Sequence, residues 1–142
     1  MTLDELNQNL PNGFHDAKLF SIQLDYVAGT AVLHLSLHVG RPEDPESERE
    51  RYQEATLNLN GLCFCSIEPP DPRYHFLPNG KPTPASGDPA KADHLPSLPA
   101  LSEQLPQDAW CYRFFLDNWN AFIHVAARNA EIRWIGTKPS YI

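Results

Sequence analysis

The alternation between Ala17 and Val39 constrains this chain more than any other stretch. Phe20, Ile22, Leu24 and Tyr26 alternate with Leu19, Ser21, Gln23 and Asp25, and beyond Ala28-Gly29 the pattern resumes with Leu33, Leu35, Leu37 and Val39 against His34, Ser36 and His38. A period of two marks a half-buried strand. With Ala28 and Gly29 as a two-residue loop, Val27 faces Thr30, Leu24 meets Leu33, Ile22 meets Leu35 and Phe20 meets Leu37. Both apolar sets then share one face, and a one-residue slip would put one of them in water. The expectation is a β-hairpin whose inner residues Ile22, Leu24, Leu33 and Leu35 are buried, with Leu57 of a later strand beside them.

At 142 residues the chain has the size of one domain, 1–142, able to close a core without disulfides or a structural metal. Its formal charge of −7 argues against nucleic acid and anionic membranes as partners, since both are polyanions. No apolar run approaches the roughly 20 residues of a membrane helix. The opening MTLDELNQNL has no basic region leading an apolar core, and the three cysteines suit reduced thiols, so a cytoplasmic protein is expected.

Taken in order, Thr2 to Glu5 matches a capping box, with Leu3, Leu6 and Leu10 at near-helical spacing, which predicts a short N-terminal helix before Pro11. After Val39 the acidic segment around Glu43 to Glu54 reads as a solvated loop. Alternation returns with Ala55, Leu57 and Leu59, and its parity changes across Asn60-Gly61 into Leu62 and Phe64, which predicts a bulge. Residues 69–106 hold ten of the chain's 14 prolines and almost no periodic pattern. This segment reads as a proline-rich insertion loop, in which Lys81 to Ser102 buries little and contributes little to stability. From Asn118 to Trp134 an amphipathic helix competes with a hairpin that carries Ala121, Ile123 and Val125 on one arm, turns around Arg128-Asn129-Ala130 and returns with Ile132 and Trp134 on the same face. Aromatic and β-branched residues in both arms favour the hairpin. The fold class expected is mainly β, an antiparallel sandwich or partly open barrel with a short N-terminal helix.

Chemistry is harder to find. His34 and His38 sit four residues apart, but on a strand that spacing separates the imidazoles by roughly 13 Å, too far for a shared zinc. Cys63 and Cys65 lack the partners of a zinc knuckle and read as small apolar residues. No metal site, catalytic residue or cofactor is assigned, and no GxSxG, HExxH, P-loop or GxGxxG is present. The candidate binding residues are His15 and Asp16 at the entry to the first strand, and Asn118, Trp119, Asn120 and His124 near the last. A carboxylate beside an imidazole can orient a general base, but turn-edge Asp and His more often anchor backbone. Trp beside amides makes a recognition surface. The two groups are expected within reach of each other at one end of the sheet.

The Phe14-His15-Asp16-Ala17 entry, with a later strand broken at Asn60-Gly61, resembles a pattern in small uncharacterised bacterial β-proteins, some grouped with toxin-immunity families. That resemblance implies a small, acidic, non-enzymatic cytoplasmic protein that neutralises a toxin by binding it. Protein binding is therefore the first reading, with homo-oligomerisation left open. The alternative is a small enzyme or ligand-binding barrel using His15, Asp16 and His124 around a pocket.

Overall fold

A computed structural model describes residues 1–74, 78–90 and 104–142. Helix α1 (Leu3–Asn9) precedes six strands: β1 (Lys18–Asp25), β2 (Thr30–His38), β3 (Tyr52–Ile67), β4 (Thr83–Pro89), β5 (Trp110–Leu116) and β6 (Ala121–Trp134). All pairings are antiparallel, and the strands join as a ring in the order β1-β2-β3-β6-β5-β4. The mainly β, antiparallel fold class expected from the alternation is what forms.

The hairpin forms with a register different from the expected one. Asp25 stands opposite Thr30, so the loop is the four residues Tyr26 to Gly29, and Leu24 meets Ala31 while Ile22 meets Leu33. The Asp25 carboxylate accepts from the Val27 and Ala28 N–H groups, both at 2.9 Å, and Gly29 takes φ +64 to close the turn. An Asp that can bond the turn's own backbone therefore favours the longer loop. Because the shift is two residues, the inward face is unchanged. A bulge between Leu19 and Ser21 then reverses the parity below it: Leu19 goes inside, and Phe20 turns outward to stack on His34, with ring centroids 4.4 Å apart. Leu33, Leu35 and Leu57 are buried as expected, whereas Ile22 and Leu24 are only partly covered.

Strand β3 bends within the ring. It pairs with β2 only as far as Asn60, but with β6 along most of its length. A register shift between Leu62 and Phe64 marks the bend, close to the parity change at Gly61. The extra residue is Cys63, so Cys63 is exposed while Cys65 packs on the core, and the two thiols do not share a face. The hairpin expected over 118–134 does not form: Arg128-Asn129-Ala130 make no turn, and Ala121–Trp134 runs as one strand along β3, so the strand reading holds over the helical one while the turn lies earlier, at Asp117 to Asn120 between β5 and β6.

The proline-rich segment is where the expectation needs correction. Thr83 to Pro89, inside the 69–106 stretch read as an insertion loop, is the strand that closes the ring. It pairs with β5 from Ala85 to Pro89 and with β1 at Lys18 and Leu19. The Ala85 N–H donates to the Ala17 carbonyl at 2.7 Å, and the Gly87 N–H to the Phe14 carbonyl at 3.2 Å. This strand carries Ala85 and Gly87 on its inner side because it crosses large rings. A Cβ at Gly87 would lie 2.6 Å from Phe114 and 2.9 Å from Tyr112. Residues 75–77 and 91–103 of the same stretch lie outside the described residues.

Two corners of the ring differ in how they are covered. At one, α1 packs under β6 with its capping box intact: Glu5 N–H donates to Thr2 Oγ1 at 3.1 Å, and Thr2 N–H to Glu5 Oε2 at 2.7 Å. Leu3, Leu6, Leu10 and Phe14 are buried there, and the Ala130 N–H donates to the Met1 carbonyl. At the other corner β1 leaves β4 after Leu19. From Ser21 to Asp25 it has a partner only on its β2 side among the described residues.

Candidate functional site

That second corner is a cleft of about 210 Å³ lined by Leu19, Phe20, Ile22, Ile67, Trp119 and Ile123, with Ser21, Thr83 and Leu116 completing it. Each wall has a local cause. Phe20 is pushed out by the bulge and remains 43% exposed, while Ile67, 44% exposed, ends β3 beyond the reach of β2. Trp119 is presented by the β5–β6 turn, which is strapped from both sides. Asp117 N–H donates to the Pro84 carbonyl at 3.1 Å, and Asp71 N–H donates to the Trp119 carbonyl at 2.9 Å.

The strap is charged. Asp71 accepts from Asn120 Nδ2 at 3.0 Å, from the Arg73 backbone at 2.9 Å and from its guanidinium at 2.8 Å. The Arg73 side-chain hydrogen bond, then the backbone one, then Asn120 hold the Asp71 carboxyl well below the usual carboxylate range. Asn120 adopts φ +46, a left-handed conformation that Asn tolerates better than most residues. One residue past Ile67, Glu68 exchanges bonds with Phe122: its carboxylate accepts the Phe122 N–H at 2.6 Å, and its own N–H donates to the Phe122 carbonyl at 3.0 Å. These bonds make the corner a fixed platform.

Of the residues singled out in the sequence, Trp119 lines the cleft and Asn120 braces it. Asn118 is exposed on the same turn. His124 faces outward from β6, opposite Ser66 on one side and Arg113 on the other, and is buried, with its ring 5.5 Å from that of Phe122. His15 Nε2 and Asp16 Oδ2 lie 3.6 Å apart on an exposed turn, and neither residue is among the cleft walls. The Phe14 to Ala17 entry has a structural use instead. Phe14 is fully buried, 5.9 Å from both Tyr112 and Phe114, Asp16 turns the chain at φ +58, and the Phe14 and Ala17 carbonyls receive β4.

His34 and His38 lie on the outer face of β2, as their spacing implied, with separate partners. His34 Nε2 is 2.9 Å from Glu54 Oε2, while His38 Nε2 is 2.7 Å from the Arg49 carbonyl, its ring stacked on Tyr52. Among the described residues no three His, Cys, Asp or Glu side chains gather as a metal site would require. No described helix is long and apolar enough to cross a membrane.

A larger groove of about 650 Å³ runs under α1 past Leu6, Leu10, Ile132 and Trp134. Several of its polar groups already have structural work. Asn129 accepts from the Met1 ammonium, the Tyr141 hydroxyl donates to the Val39 carbonyl, and Glu131 pairs with Arg133 at 3.1 Å. The groove is the seam between helix and sheet, whereas the 210 Å³ cleft is bounded by a strand edge that has no partner among the described residues.

Sequence reasoning missed Phe20, Ile22 and Ile67 as neighbours of Trp119. One signal was present: Leu19 and Phe20 are consecutive apolar residues in an alternating run, which a regular strand cannot bury together. No family model matches the chain, and no curated protein or solved structure matches it either.

Proposed function

We propose that this chain is a non-enzymatic protein-binding module, immunity-protein-like in its action, that holds its partner at the open corner beside Trp119. The observation that carries this reading is the grouping of exposed Phe20 and Ile67 with Trp119 on a braced, partly apolar cleft. Exposed apolar groups around a tryptophan on a rigid rim have the composition of a binding hot spot. The net charge of −7 favours a basic partner. A toxin is the partner that the Phe14 to Ala17 resemblance implies. The enzymatic alternative has less support, because His15 and Asp16 sit on an exposed turn while His124 is buried on the outer face of β6.

The test is capture from a lysate of the source cells with the tagged chain, then calorimetry of the purified captured protein against wild type and Ile67→Lys. A tenfold or greater loss of affinity in Ile67→Lys, with melting temperature unchanged, supports the reading. Equal affinity for both chains overturns it.

A further inference from the structure

The open corner is bounded by two strand edges as well as apolar side chains. Ser21 to Asp25 of β1 have no strand neighbour on the side away from β2 among the described residues, and Phe64 to Ile67 of β3 have none on the side away from β6. Both edges contribute to one cleft, through Ile22 and Ile67. Pro82 and Pro84 at the start of β4 lack N–H donors, so the strand that closes the ring is poorly suited to continue along β1. Proteins usually blunt a free edge with lysine, proline or an inward charge. Between Ser21 and Leu24 the β1 edge has none of these.

The cleft's size and the chain's charge narrow the occupant. At about 210 Å³ it lies below the roughly 300–1,000 Å³ typical of small-molecule sites, yet it suffices for one large apolar side chain. The cleft walls carry no charge, and the charged residues within two positions of them in sequence, Lys18 and Lys81 against Glu68 and Asp117, balance. Asp71 and Arg73 offset each other at 2.8 Å. The preference for a basic occupant comes from the chain as a whole, at a net charge of −7.

Building on the partner-binding reading, we infer that this corner receives an extended, basic segment of the partner. The segment adds as a strand to Ser21–Asp25 and sinks one large apolar side chain between Phe20, Ile22, Ile67 and Trp119. Main-chain pairing supplies affinity, and the single pocket with the chain's overall negative charge supplies selectivity.

The experiment selects a phage-displayed library of random dodecapeptides on the full chain, with Ile67→Lys as the counter-selection. The enriched peptides are then followed by amide hydrogen exchange and sedimentation. The expected result is a set of peptides sharing a large apolar residue flanked by Lys or Arg, binding at least tenfold more weakly to Ile67→Lys. These peptides should slow exchange within Ser21–Asp25 by tenfold or more. No cleft-dependent peptides, acidic consensus sequences, or binding without protection of Ser21–Asp25 would overturn strand addition. So would a concentration-dependent dimer that Ile67→Lys abolishes, since a second copy would then fill the corner. If the captured partner needs Ile67 but leaves exchange at Ser21–Asp25 unchanged, the binding reading stands and strand addition alone fails.

Discussion

Thr83 stands opposite Leu19, and this rung, with Pro84 opposite Lys18, joins the last strand of the ring to the first. Thr83, set between two prolines, and Pro84 itself thus decide whether the sheet closes. The pairing continues only through bonds to the Ala17 and Phe14 carbonyls, so closure is narrow, and the corner beside it stays open for the same reason.

The strand that makes this closure tolerates no side chain at Gly87. A methyl group there would press on Phe114 and Tyr112, which are both buried and cannot swing away. Gly87→Ala should therefore cost about 1–3 kcal/mol, the usual range for overpacking. Urea denaturation measures it, and an unchanged midpoint would mean that β4 does not cross those rings. Deleting Thr83 to Pro89 should abolish cooperative unfolding altogether.

The bulge in β1 makes a second comparison decisive. Leu19 is buried and Phe20 is half exposed, although strict alternation assigns them the reverse. Leu19→Ala should cost about 2–5 kcal/mol, as a packed leucine does. Phe20→Ala should cost about 1 kcal/mol, the worth of its stack on His34. Equal costs, or a larger cost at Phe20, would restore the regular strand.

These two variants also show what could be read before the structure. The faces of β2, β3 and β6 were legible because Leu33, Leu35, Leu57, Ile123 and Val125 alternate with polar or small residues, and burial enforces that period. β4 left no such trace. Its one buried residue is Ala85, and Gly87 further along is partly covered with no room for a side chain, so the rings of neighbouring strands fill the core there. Trp119 was visible as a candidate, but its cleft depends on a bulge and on strands ending at different heights, which are tertiary facts. His15 stood out for its chemistry, yet what the fold uses at that entry is the Phe14 ring and two backbone carbonyls.

Tyr112 carries a polar atom that the core does not use. Its hydroxyl is buried with no hydrogen-bond partner among the described residues, and burial pushes the phenol well above the usual tyrosine range. A buried hydroxyl left unsatisfied costs about 1–3 kcal/mol. Tyr112→Phe should therefore be neutral or more stable by about 1 kcal/mol, with the ring contacts to Phe14 and Phe114 retained. A clear loss of stability on denaturation would reveal a partner for the hydroxyl.

Asp71 ties the Trp119 turn to the end of β3, and its titration gives that tie a pH signature. Its folded pKa is depressed, chiefly by the hydrogen bonds from the Arg73 side chain and backbone and then by Asn120. The unfolded carboxyl titrates near the ordinary aspartate value of about 3.9. A group depressed in this direction adds stability that is complete above the unfolded value and fades as pH falls through the lower folded one. Asp71→Asn should therefore melt below wild type at pH 7, and the gap should narrow steadily below about pH 4, where the carboxyl of the unfolded wild-type chain begins to take up its proton while the folded one stays charged. Melting temperatures of both chains from pH 7 to pH 2 test this. A gap that stays constant through the acid range would mean the carboxylate's charge has no part in holding the corner.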